Sequence, residues 1–257
     1  MAFWSSAAIF GASVAAGLVN SIAGGGTLIS FPVLLWAGRD PILANATNAI
    51  ALLPGSAAGA AGFRKELQAS RHWIALLTIP SLLGGILGAI LLLHTSSKTF
   101  AHMVPFLILM ATILLASQEV VQRKLKLYPA GHASTPTGGR LAGILIFQTC
   151  VGIYGGYFGA GMGILMLAAL GLLGLADIHQ MNGLKNLMAI FINGIAAIYF
   201  ILCGAVLWSD VLLMAVGSVF GGLVGPRLAR RLGRTFVRRF VIFVGLTMAV
   251  VLAVVKR

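Results

Sequence analysis

Apolar runs at about 7–37, 43–62, 73–93, 101–121, 141–175, 182–203, 207–226 and 236–255 alternate along the chain with short polar connections. Most of these runs suit a single helical crossing of a bilayer, which takes roughly 20 apolar residues. The runs 7–37 and 141–175 are too long for one ordinary crossing and too short for two. Each is interrupted by glycines: Asn20-Ser21-Ile22-Ala23-Gly24-Gly25-Gly26-Thr27 in the first, and Gly155-Gly156-Tyr157-Phe158-Gly159-Ala160-Gly161-Met162-Gly163 in the second. A glycine in a helix interior costs on the order of 1 kcal/mol against alanine, so helix stability does not account for them. The pattern predicts an all-α polytopic membrane protein. Each interrupted run is either one long tilted helix or a pair of half-helices that dip in and leave by the same face.

Charge discriminates between the two. If all eight runs cross, the Lys and Arg residues divide almost evenly between the faces. If the interrupted runs are re-entrant, the connections 63–72, 122–140 and 227–239 share one face and carry 13 Lys and Arg, against Arg39, Lys98, Lys256 and Arg257 on the other. That asymmetry is the normal positive-inside pattern. We therefore expect six full spans plus two re-entrant hairpins, with the basic loops cytoplasmic and both termini outside. Glycine-rich backbone at membrane depth is tolerated where protein or a water-filled cavity surrounds it, as at hairpin tips.

Composition agrees: 59% of residues are hydrophobic and 9% charged, with a net charge of +13. In a soluble protein that charge would suggest nucleic acid. Here it orients the chain and meets anionic lipid, and no nucleic-acid surface is visible. Cys150 and Cys203 sit in apolar segments without metal or redox spacing and read as small core residues. Met1 to Ser6 carry no Lys or Arg, so the first apolar segment is expected to remain in the mature protein.

The halves repeat. Gly17 matches Gly152, Gly24 and Gly26 match Gly159 and Gly161, Trp73 matches Trp208, Gly84-Gly85 match Gly221-Gly222, and Thr99-Phe100 match Thr235-Phe236, at offsets of 135 to 137. Three full spans per half is odd, so the second half enters from the opposite face as an inverted-topology repeat. The expected units are 1–122 (hairpin 7–37, helices 43–62, 73–93 and 101–121), a cytoplasmic linker 123–140, and 141–257 (hairpin 141–175, helices 182–203, 207–226 and 236–255).

The stretch Asn20 to Leu35, its echo Gly159 to Leu165 and the Gly-Gly-x-x-Gly of each half resemble the TauE/SafE sulfite exporter family, also called the sulfonate uptake permease family. The resemblance spans nearly the whole chain. Ala160 and Met162 replace a glycine and an aliphatic residue common in the family's fuller pattern. It implies a bacterial inner-membrane carrier for sulfite, sulfonates such as sulfoacetate, or related small anions.

An oxyanion needs hydrogen-bond donors, and backbone N–H groups at half-helix N-termini supply them where glycine permits close approach. The candidate substrate-binding residues are Asn20, Ser21, Gly24, Gly25, Gly26 and Thr27 of the first break, and Tyr154, Tyr157, Gly159 and Gly161 of the second. The amide-rich starts of the next helices add Asn45 and Asn48, and Asn182, Lys185 and Asn186. Asn45 with Asn48 and Asn182 with Lys185 share helix faces. For each amide the alternative is a bond to a neighbouring helix. Lys185, the one charged residue well inside a predicted span, is the candidate for attracting the anion, with snorkelling to the interface as its alternative. Pro54 is expected to kink helix 43–62, with Ser56 and Asn193 deeper in the corresponding helices, and Glu119 to pair with Arg123 four residues on.

No hydrolase, phosphate-loop or metalloprotease motif is present, so no catalytic residue, metal or cofactor is expected. The predicted activity is export of a small sulfur oxyanion or organosulfonate by alternating access, with an anion channel or a non-transporting membrane subunit as alternatives. The expected partners are the small anion and the lipid bilayer; a homo-oligomer stays open.

Overall fold

Each glycine interruption ends one helix and begins a shorter one that runs back. The computed structural model describes residues 2–22, 25–61, 63–126, 138–175, 177–232 and 234–255. Its helices are α1 (Ala2–Ile22), α2 (Thr27–Trp36), α3 (Pro41–Ala51), α4 (Leu53–Ala61), α5 (Arg64–Ala69), α6 (Arg71–His94), α7 (Ser97–Lys126), α8 (Gly139–Tyr157), α9 (Met162–Leu172), α10 (Ile178–Leu202), α11 (Trp208–Leu232) and α12 (Arg234–Val255). No strand occurs among the described residues. Helices α6, α7, α10 and α12 contain stretches long and apolar enough to cross a membrane. The protein is an all-α polytopic membrane protein.

Small residues set the two main helix seams. Gly217 on α11 lies against Phe10 and Ser13 of α1, and Gly221, one turn on, against Val14 and Leu18, so α1 and α11 run in the same direction. Gly84 on α6 lies against Thr149 and Gly152 of α8, and Gly88 against Ile153 and Tyr157, so α6 and α8 also run in the same direction. A Cβ at Gly84, Gly88 or Gly221 would fall on the facing backbone carbonyl. Helices in lipid gain little from apolar burial against one another, and close backbone approach through glycine is how they associate. The first helix of each half therefore packs along a helix of the other half, α1 on α11 and α8 on α6.

These directions fix the path of the chain. The guanidinium of Arg39, in the turn between α2 and α3, donates from Nε (2.7 Å) and Nη2 (3.1 Å) to Asp210 at the start of α11. Because α1 and α11 start at the same end, α2 returns to the end where α1 began. At the opposite end Gln180 Nε2, at the start of α10, donates to Ser70 Oγ, just before α6, at 2.9 Å. By the same reasoning α9 returns to the end where α8 began. Both interrupted runs are thus hairpins, as the charge pattern predicts, and their arms are unequal: α1 has 21 residues and α2 has 10, α8 has 19 and α9 has 11. Asp210 raises the pKa of Arg39 through their hydrogen bond, so the guanidinium stays charged.

The helix that follows each hairpin starts on an aspartate. Asp40 Oδ1 accepts from the N–H groups of Ile42 (2.9 Å) and Leu43 (3.2 Å), with Pro41 at the first helical position, and Asp177 Oδ1 accepts from His179 (2.8 Å). Beyond the cap the two halves differ. The expected helix 43–62 is two helices separated at Leu52, whereas α10 is continuous over 25 residues. Pro54 has no N–H to donate to the carbonyl of Ile50 one turn back, and its ring crowds that carbonyl, which accounts for the break.

One other expectation is corrected. Cys150 and Cys203 are exposed rather than core residues; a uniformly apolar helix does not mark which of its faces turns outward. Glu119 pairs with Arg238 of α12; the side chain of Arg123, its expected partner, lies outside the described residues. The α7–α12 packing brings Arg238 to it across 119 positions of sequence, a contact that local spacing cannot reveal.

Candidate functional site

The hairpin tips converge on α7: Gly25 of the first lies beside Leu115, and Gly161 of the second beside Ala111 and Leu114. Both glycines have left-handed backbone, φ +94° and +76°, which a side chain would strain. Between the tips lies a cavity of about 500 Å³. Among the described residues its polar lining comprises Asn20, Thr27, Asn48, Ser56, Gln118, Lys185, Asn186 and Asn193, with no carboxylate. Leucines 52, 53, 115 and 167, with Phe63, Phe158 and Ile164, form an apolar remainder.

The first tip is held by an acceptor. Asn20 Oδ1, in the last turn of α1, takes the Gly26 N–H at 2.8 Å. Helix α2 is then joined to α3: Ser30 Oγ donates both to Asn48 Oδ1 and to the Gly26 carbonyl, and Asn48 Nδ2 reaches Thr27 Oγ1 at 3.4 Å. The second tip is held by donors. Tyr154 Oη donates to the Ala160 carbonyl, and Asn45 Nδ2 donates to the Tyr157 carbonyl at 2.9 Å. Among the described residues the N–H of Gly163, in the first turn of α9, has no partner. The stem of Lys185 lies against Gly163, and its Nζ donates to Asn182 Oδ1 at 3.2 Å.

Of the sequence candidates, Asn20, Gly25, Thr27, Asn48, Gly159, Gly161, Lys185 and Asn186 line this cavity. Gly26, Asn45, Tyr154 and Asn182 stand behind the lining: Gly26 packs on Ala16, and the other three hold tip carbonyls or the lysine. Tyr157 points away, toward Thr95 and Met103. Ser21's side chain and Gly24 lie outside the described residues. Gln118 is a lining residue missing from the sequence candidates. Its Oε1 is buried without a hydrogen-bond partner among the described residues. A lone amide near the end of run 101–121 was the available signal.

The two ends of the cavity differ. Phe158, part of its lining, stacks edge-on against Phe31 (centroids 5.5 Å apart), and Phe100 packs on Tyr157 (5.6 Å), all four buried. Phe100 opens α7 and Tyr157 reaches Thr95 just past α6, so this aromatic cluster closes the cavity at the Arg39–Asp210 end. Phe63, Gln118 and Leu223 carry the lining toward the other end, where Glu119 meets Arg238. Connections at that end hold most of the arginines.

The sequence model of the family described as "Sulfite exporter TauE/SafE" matches residues 9–252. A "Probable membrane transporter protein" of Haemophilus influenzae is 29% identical over 255 residues, covering 94% of this chain and 92% of its own length. The "Probable membrane transporter protein YfcA" of Escherichia coli K12 is 27% identical over 244 residues, covering 94% of this chain and 87% of its own. No solved structure matches.

Proposed function

We infer the function from the premise that this chain belongs to the sulfite exporter TauE/SafE family and is a membrane transporter of that family. The transported species is a small sulfur oxyanion or organosulfonate, bound between the hairpin tips and exported by alternating access. The observation that carries this reading is a cavity that, among the described residues, is lined by one cation, Lys185, several amide and hydroxyl donors and no carboxylate. Such a lining suits an oxyanion. Neutral amides bind it without the electrostatic trapping that several cations would impose.

The repeats 1–122 and 141–257, joined by 123–140, are the proposed inverted units, with the arginine-rich end cytoplasmic in a bacterial inner membrane. The cavity then faces the cytoplasm, and the Phe31, Phe100, Tyr157 and Phe158 cluster is the outer closure. Release outside requires the Asn45–Tyr157 bond and these ring contacts to part. An inside-negative potential favours anion efflux by about 2.3 kcal/mol per charge per 100 mV. The closed aromatic end favours a carrier over the alternative of an open anion channel.

The test is flux in proteoliposomes. Saturable sulfite or sulfonate counterflow is expected from the wild type and is lost in Lys185→Met. Absence of flux above empty vesicles, or an unchanged rate in the variant, would remove the proposal; ohmic current without counterflow would replace the carrier with a channel.

A further inference from the structure

The cavity is far larger than a bare oxyanion needs. A four-atom anion takes the space of a few waters, each about 30 Å³ of liquid volume, against about 500 Å³ present. Pockets of that size ordinarily enclose ligands with a carbon body. The excess has a direction. Val219 and Leu223 line the cavity and also line a second concavity, a groove formed with Pro54, Ala215, Val216 and Phe220, whose lining is almost wholly apolar. The groove lies between α4 and α11 on the outer surface: Val216, Phe220 and Leu223 are 65%, 59% and 67% exposed. The break at Leu52 lies just before Pro54, the α4 residue that lines the groove with α11. A polar chamber thus continues sideways into an apolar slot.

We propose that the substrate is an amphiphilic organic anion whose oxyanion head sits beside Lys185 and Gly163 and whose apolar body extends past Val219 into the α4–α11 groove. This rests on the reading of the cavity as the transport site. Charge and shape argue for one molecule spanning both regions. Among the described residues the head site has a single cation, which matches a single anionic group, and the apolar lining runs from Leu53 through Val219 to Val216.

The experiment uses the full chain in lipid nanodiscs and a series of 1-alkanesulfonates from methane- to hexanesulfonate, with empty nanodiscs subtracting partition into lipid. Affinity is expected to rise with each methylene, about fourfold per step where the added carbon becomes fully buried. Val216→Trp, which fills the groove without touching the head site, is expected to flatten the series while leaving methanesulfonate affinity unchanged. A flat series in the wild type, as when a bilayer acyl chain already fills the slot, overturns the proposal while leaving the anion site standing. So does a chain-length gain that survives Val216→Trp. Should that variant fail to fold, Phe220→Ala, which shortens the groove wall, is expected to reduce the gain for hexanesulfonate, and an unchanged gain overturns the proposal equally. If neither sulfite nor any sulfonate binds the wild type, the anion reading of the cavity itself fails.

Discussion

The two hairpin tips solve the same backbone problem with opposite chemistry. At the first, an amide oxygen of Asn20 takes the Gly26 N–H. At the second, donors from Tyr154 and Asn45 take the carbonyls of Ala160 and Tyr157. A buried backbone group must find a partner, but which group is satisfied decides what is left over. The second break keeps the Gly163 N–H free beside Lys185, and the first spends one of its N–H groups on its own closure. The following helices extend the contrast. Asn48 on α3 is engaged with Ser30 and Thr27, while Lys185, which follows it at the repeat offset of 137, reaches only Asn182 among the described residues. On the proposed reading the second half meets the negative charge through Lys185, and the first supplies neutral amides.

The largest expected effect falls on the charged side of that comparison. Lys185→Met should weaken sulfonate affinity by about 10- to 100-fold, the range for losing a charge-assisted hydrogen bond, with thermal unfolding little changed. Equilibrium binding to the purified protein checks it. Asn20→Ala breaks the comparison if it costs as much affinity as the lysine variant.

Next in size is the second tip's own support. Tyr154→Phe leaves the Ala160 carbonyl without its donor, a penalty of about 1–3 kcal/mol. This should register as a lower Tm in nanodiscs, and a Tm equal to wild type would mean that water replaces the phenol. Gly161→Ala places an L-residue in left-handed backbone with its Cβ 3.2 Å from the Ala111 carbonyl, and should cost about 1–2 kcal/mol. Gly25→Ala has the same backbone penalty, but its nearest atoms are the movable Leu115 and Leu28 side chains, so it should cost less. A reversed order would put the tighter packing at the first tip. The smallest effect is expected from Asn20→Ala, about 0.5–2 kcal/mol in stability by analogy with the loss of a helix cap, read by the same thermal scan.

Much of this fold was legible in the chain because membranes impose strong rules. Apolar run length marked the helices, and glycine clusters marked the breaks. The charge of the connections distinguished hairpins from crossings, since only one threading segregates the arginines. Five of the eight polar lining residues, Asn20, Thr27, Asn48, Lys185 and Asn186, followed from the same logic, as polar residues beside a glycine break must face something other than lipid. Local spacing was a poor guide to partners. Asp210 is nearly sealed from solvent by Arg39, 171 positions away, and Glu119 meets Arg238 on a different helix.

The sequence by itself determined which segments enter the bilayer, where their backbone breaks and which polar side chains must turn inward, because each of these is a local cost that hydrocarbon does not forgive. The tertiary structure alone decided which candidates reach the cavity and which brace it from behind. Asn45 and Asn48 share a helix face in the sequence, yet one holds a carbonyl of the opposite hairpin and the other lines the chamber. That division depends on where α8 and α9 are carried by the glycine seam with α6, and a contact between distant helices leaves no trace in the spacing of either one.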